Sequence, residues 1–256
     1  EQISLWMKSN KLKMNDDNTD VLLIGSRHNH RKTFTSSLCI NDHSISFSEK
    51  ARNLGVYVDP TLSFETHINN LCKTLYLQLR RLSQIRPFLT TEAANKLAVS
   101  FILSRIDYCN SLLAGLPEKL IQKLQRIQNN AARIVLQRTR RDPSTHLLKT
   151  LHWLPVRERI AYKLAIFCHQ CLYSDSFPSY LTELLTPYNP PRQLRSSDSL
   201  LLSVPRFSKK TLGTRSFSSQ GPAIWNSLPL ELRLTQSHNS FKKALKTFLF
   251  TKSFSL

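Results

Sequence analysis

PEKLIQKLQRIQNNAARIVLQRTRR, residues 117–141, spaces its apolar side chains as a helix does and carries charges almost all of one sign. On a helical wheel of about 100° per residue, Leu120, Leu124, Ile127, Ala131, Ile134 and Val135 fall on one stripe. Lys119, Lys123, Arg126 and Arg133 fall on a second stripe roughly 100° away, and Arg138, Arg140 and Arg141 follow it. Pro117 suits the first position of such a helix, where its missing N–H costs nothing. One face can therefore dock on a core while the other presents a row of cations. A face kept only for solubility usually mixes signs, yet Glu118 is the sole carboxylate between 108 and 141.

Helical spacing continues on both sides. Upstream, Ile68, Leu71, Leu75, Leu79 and Leu82 predict a helix ending before Pro87. A second, with Thr90 or Thr91 as N-cap and Glu92 in its first turn, runs through Leu97, Phe101 and Ile102 to about Tyr108. Downstream, Pro155 opens a helix to about Tyr173, a short helix lies near Pro178 to Leu185, and Phe241, Leu245, Phe248 and Leu249 mark a last amphipathic one. Residues 186–222 are rich in Pro, Ser and Arg and read as extended loop, with a strand at Leu200 to Val204. No internal repeat is visible.

The first sixty residues read as strands and turns. Lys11 to Met14 and Val21 to Ile24 predict a hairpin closed by Asn15-Asp16-Asp17-Asn18, residue types whose side chains bond the local backbone in tight turns. Ser37 to Ile40, Ile45 to Phe47 and Leu54 to Val58 predict three further strands, the last ended by Asp59-Pro60. The fold class expected is α+β and mostly helical. It comprises a small N-terminal hairpin region at 1–60, a basic helical region at 61–142 and a helical segment at 143–256.

Composition narrows the function. The chain has 256 residues, 41% of them hydrophobic, enough for a packed core. Five glycines and no glycine-rich phosphate loop argue against the common nucleotide-binding motifs. No apolar run approaches the roughly 20 residues of a membrane span, and the start lacks the apolar core of a signal peptide, so no membrane partner is expected. The chain does not begin with Met, which suggests a piece of something longer. Five scattered cysteines, an odd number, point to a reducing compartment and an intracellular location, in nucleus or cytoplasm. Lys and Arg number 36 against 17 Asp and Glu. Residues 1–60 hold 8 basic and 7 acidic side chains, so nearly all of the excess belongs to the helical part. A field of that sign favours a polyanion, of which nucleic acid is the commonest.

Candidate chemistry is sparse. Asp16 and Asp17 resemble the paired carboxylates of a metal-dependent polymerase or nuclease. Two-metal phosphoryl transfer, however, draws carboxylates from more than one strand, and no partner carboxylate is identifiable beside them. Cys168-His169-Gln170-Cys171 has the spacing of half a zinc site, but no second pair completes four ligands, and buried thiols on a helix explain it. His28 and His30 read as solvated loop histidines. Trp6, Trp153 and Trp225 could stack on bases, but each has apolar neighbours and reads as core. No Ser-His-Asp arrangement or nucleophile elbow is present. Neither catalytic nor metal-ligating residues are expected in this chain.

SLWMKSNKLKMNDDNTDVLLIGS, residues 4–26, resembles the end of the palm of a LINE-type, non-LTR, jockey-like retrotransposon reverse transcriptase. Trp6, Asn10, Leu12, Asn15, Thr19 and Asp20 fall on the family's pattern, the last conservatively. Asn53-Leu54-Gly55-Val56, Asp59 and Leu62 to His67 resemble the hairpin that follows, similar to the primer grip. Arg105 to Asn110, Leu151 to Val156, Leu194 to Asp198 and Gly221 to Pro229 continue the likeness to the end of the chain.

The resemblance implies a palm remnant, a thumb-like region and a C-terminal segment of an RNA-directed DNA polymerase. The parent enzyme would use Mg²⁺ to copy element RNA into DNA. In that family the catalytic aspartates precede the Trp segment, so here they would lie before Glu1. The family's lysine, held to protonate the leaving pyrophosphate, is replaced by Asn18, and an amide cannot donate a proton that way. What remains by resemblance is contact with the phosphate backbone of an RNA or DNA template–primer duplex. Lys119, Lys123, Arg126 and Arg133 are the candidates, supported by Arg138, Arg140 and Arg141. A host-adopted protein-interaction module and a translated relic without function are the alternatives. Primer extension with Mg²⁺ discriminates an active polymerase from all three.

Overall fold

The computed structural model describes residues 2–12, 19–25, 37–40, 43–189, 200–207 and 213–254. Residues up to His67 form one compact unit, and Ile68–Leu256 form a second. Among the described residues the chain is mostly helical, with two small antiparallel hairpins near the N-terminus.

The first unit begins with a helix the sequence did not announce, α1 at Gln2–Ser9. Its last carbonyls are satisfied when the chain turns left-handed at Lys11 (φ 56°), so that Lys11 N–H reaches Lys8 O and Leu12 N–H reaches Met7 O. That turn replaces the strand expected at Lys11. Val21, expected in its partner strand, instead makes an isolated parallel bridge to Phe47. The Asn15–Asn18 turn with Asp16 and Asp17, and the histidines at 28 and 30, lie outside the described residues. Trp6, read as core, is 61% exposed, because a helix of eight residues buries only part of its surface.

Strands β1 (Ser37–Ile40) and β2 (His43–Ser46) pair from Ser37↔Ser46 to Ile40↔His43. Strands β3 (Ala51–Asn53) and β4 (Val56–Val58) pair around a two-residue turn. Leu54 (φ 46°) and Gly55 (φ 84°) are both left-handed there, the type I′ geometry that matches strand twist. Leu54-Gly55 is thus the turn and not the start of a strand. Asp59 then fixes the chain. Its carboxylate accepts the N–H groups of Thr61, Ser63 and Phe64 and the hydroxyls of Thr61 and Ser63 at 2.7–3.1 Å. These bonds hold Leu62 (φ 51°) and Phe64 (φ 54°) left-handed just before α2, Glu65–Ile85.

The division between the units falls in the first turn of α2. A 3-10 turn at Arg86–Phe88 leads to α3 (Thr91–Ala98), whose N-cap Thr90 accepts from Ala93 N–H. The helix continues as a π turn (Val99–Leu103) and α4 (Ser104–Asp107). Then come α5 (Glu118–Val135), α6 (Ser144–Thr150), α7 (Val156–Tyr173), α8 (Ser179–Thr182), α9 (Phe217–Asn226), α10 (Leu230–Arg233) and α11 (His238–Phe254). Pro117 and Pro155 stand at the N-caps of α5 and α7, Pro117 one residue before the first helical position expected for it.

Helix α9 starts inside the stretch read as loop. Pro222 lies within it and masks the pattern, since proline ordinarily ends a helix. Gly221 permits the close approach: a Cβ there would meet Cys168 Sγ at 3.0 Å and the Phe217 ring at 3.1 Å. The strand expected at Leu200 to Val204 is reduced to one bridge, Pro187↔Leu202, because the Asn226 side chain takes the place of a partner strand. Asn226 Oδ1 accepts from Leu202 N–H at 2.9 Å and its Nδ2 donates to Leu202 O at 2.7 Å. Trp225, Phe241, Leu245 and Leu249 fill the core between α7, α9 and α11, and Trp225 Nε1 donates to Leu200 O at 2.8 Å.

Candidate nucleic-acid interface

The apolar face of α5 is buried as its spacing predicts: Leu120, Leu124, Ile127, Ala131 and Val135 are in the core and Ile134 is half-buried. The buried band is wider than the stripe, however, and takes in Ile121, Ala132 and Gln128. Gln128 has no exposed surface. Its Nε2 donates to Leu154 O at 2.8 Å and its Oε1 accepts from Gln125 Nε2 at 3.0 Å. Gln125 Oε1 in turn accepts from Val156 N–H at 2.8 Å, satisfying a free donor at the start of α7. So the two amides seat Leu154-Pro155-Val156 on α5, and they set which way its opposite face points.

That opposite face holds the candidate cations. Lys119 and Arg126 are exposed. Lys123 is half-buried and its Nζ donates to Asn69 Oδ1 at 2.7 Å, so its charge is held by a neutral amide. The one carboxylate of the stretch, Glu118, is bound by Arg157. None of the seven cations forms an ion pair among the described residues.

Past Val135 the helix ends with Gln137 left-handed (φ 51°), Gln137 N–H on Ile134 O and Arg138 N–H on Arg133 O. The next turn is shaped by Asp142, which accepts Thr139 N–H at 2.7 Å and Thr139 Oγ1 at 2.9 Å. Those two bonds, with Arg138 and Arg133 nearby, hold its carboxyl below the usual range. The turn carries Arg138, Arg140 and Arg141, all exposed.

The structure gathers part of this set and adds to it. Arg133, Arg138 and Arg140 line a groove of about 680 Å³ together with Arg80 of α2 and Arg86, and no carboxylate lines it. Lys119, Lys123, Arg126 and Arg141 lie outside that groove. Arg133 sits with its Nη atoms 3.4 Å from Asn130 Oδ1 and Asp142 O, and its buried Nε has no partner. Arg86 is 6% exposed and donates to Val135 O, Leu89 O and Thr91 Oγ1 at 2.7–3.1 Å. Sequence reasoning missed Arg80 and Arg86. The signal was there, because 66–91 contain no acidic residue at all.

The remaining candidates find other places. Cys168 and Cys171 are buried in the core, and burial pushes both thiols above their ordinary range. Among the described residues no group of three or more His, Cys, Asp or Glu side chains could hold a metal ion. His169 is 1% exposed, its Nε2 2.8 Å from Thr235 O and its ring stacked on Phe241. Trp153 and Trp225 are core residues, Trp153 donating to Asn95 Oδ1 at 3.2 Å. No described helix is long and apolar enough to cross a membrane. No family model matches the chain, and neither does any curated protein or solved structure compared with it.

Proposed function

We propose that this chain is a fragment of a non-LTR retrotransposon reverse transcriptase. On this reading it does not polymerise and retains contact with a nucleic-acid backbone. The reading rests on one structural observation: the seven cations on and just beyond α5 form no ion pair among the described residues, Asp142 being the one carboxylate near Arg133 and Arg138, while Glu118 is engaged by Arg157. An unpaired row of this kind attracts closely spaced phosphates. Binding then gains from release of the counterions condensed on the duplex, without regard to base sequence. The resemblance of the sequence to the family's palm end and primer grip supplies the parentage. No chemical step is assigned to the residues that carry the likeness.

Binding of a template–primer duplex, followed against salt concentration, tests the reading. Replacing Lys119, Lys123, Arg126 and Arg133 with Ala should weaken binding and flatten the slope of log K against log salt by roughly 0.9 for each phosphate no longer neutralised. An affinity unchanged at every salt concentration would remove the stripe from the interface.

A further inference from the structure

The arginine groove differs in kind from the open stripe on α5, because it has an aromatic wall. Tyr76, 49% exposed, stands one helical turn before Arg80 on α2, and both face the groove opposite Arg133, Arg138 and Arg140. Arg80, Arg138 and Arg140 form no ion pair among the described residues, Asp142 lying near Arg138, while the buried charge of Arg86 at the groove wall meets only neutral acceptors. A duplex offers phosphates to such a surface but hides the faces of its bases. A single strand offers both, and a cationic channel flanked by an aromatic ring is the arrangement that binds it.

We infer that this groove, which shares Arg133, Arg138 and Arg140 with the duplex surface, takes single-stranded nucleic acid: Arg80, Arg133, Arg138 and Arg140 hold successive phosphates, and a base stacks on Tyr76. The inference rests on the backbone-binding reading above and adds the form of nucleic acid and the residue that selects it. Its volume of about 680 Å³ suits a strand threaded past the ring.

Anisotropy of a labelled single-stranded oligonucleotide, and of the same strand annealed to its complement, provides the test on the full chain. Tyr76→Leu should weaken single-strand binding about tenfold, the loss of one stacked base, and leave duplex binding within about twofold. Tyr76→Phe keeps the ring and should bind the single strand like the parent, which separates stacking from any disturbance of α2. Arg80→Ala should flatten the single-strand salt slope by roughly 0.7. Equal losses on both forms, or no loss on the single strand with Tyr76→Leu, overturn the inference. Duplex binding with no single-strand binding overturns it while leaving the backbone reading intact. Absence of binding to either form sinks both.

Discussion

Arg86 shows how one side chain can fix the end of a helix. Its guanidinium is buried, and its four hydrogen bonds go to Val135 O twice, Leu89 O and Thr91 Oγ1. Val135 closes α5, so the cation sits where the helix dipole is negative and carbonyls lack partners. The planar fork serves three acceptors at once, whereas an ammonium is a compact point donor on a flexible stem. Arg86→Lys should therefore cost about 2 kcal/mol in denaturant unfolding despite keeping the charge. A variant as stable as the parent would show that the fork is not what secures the end of α5. Nothing in the local sequence revealed this role: an arginine before a proline reads as a surface residue ending a helix. Its acceptors lie 49 positions away in the case of Val135, a separation that local pattern cannot see.

At the scale of elements, periodicity was legible wherever a helix was long enough to repeat it. The helices α2, α5, α7 and α11 lie where the apolar spacing marked them, since each buries an apolar stripe through several turns. Among the short elements, the strand at Ser37–Ile40 and the helix at Ser179–Thr182 were legible, but two helices were not. Helix α1 ends in a left-handed lysine with no glycine to mark it, and α9 carries a proline that argues against helix. The candidate site divides the same way. The α5 stripe was readable from its own spacing, but the groove needed α2 and the turn after α5 to meet. The packing of α5 against α7 was also hidden, because it runs through glutamines that read as surface polar residues. Gln128→Leu keeps the volume but withdraws one donor from Leu154 O, which Arg159 Nε still serves at 2.8 Å, and leaves Gln125 Nε2 with Asn129 alone. A loss of about 1–2 kcal/mol on thermal unfolding is expected. Gln128→Ala should cost more, because it adds a cavity beside Leu124 and Ile127. Equal stability of parent and Gln128→Leu would mean that apolar packing alone holds α7 to α5.

For the whole molecule, the formal charge of +19 sets how stability depends on pH, and its direction follows from buried groups rather than from the total. Burial pushes His67 in the first unit and His169 in the second below the ordinary histidine value. For His169 the neighbouring His238 adds to the fall and the Thr235 carbonyl opposes it. In both units, then, the unfolded chain binds more protons than the folded one just below about pH 6.5. The histidine contribution is complete above the unfolded value and is lost as pH falls from there through the folded values. Asp59 behaves differently. Burial raises its carboxyl, but hydrogen bonds from Ser63, Thr61 and Phe64 outweigh burial and leave it lowered. Its share is present above about 3.9 and fades only in stronger acid. Melting temperature should thus begin to fall between about pH 7 and pH 5. His169→Phe retains the aromatic packing on Phe241 and removes the titration, so its melting temperature should depend less on pH in that window, whatever its stability at neutral pH. His146→Ala, at an exposed position of α6, serves as the control and should follow the parent. If His169→Phe keeps the full slope, the acid sensitivity belongs to His67 or to repulsion among the excess cations, and only the latter should be abolished by raising the salt concentration.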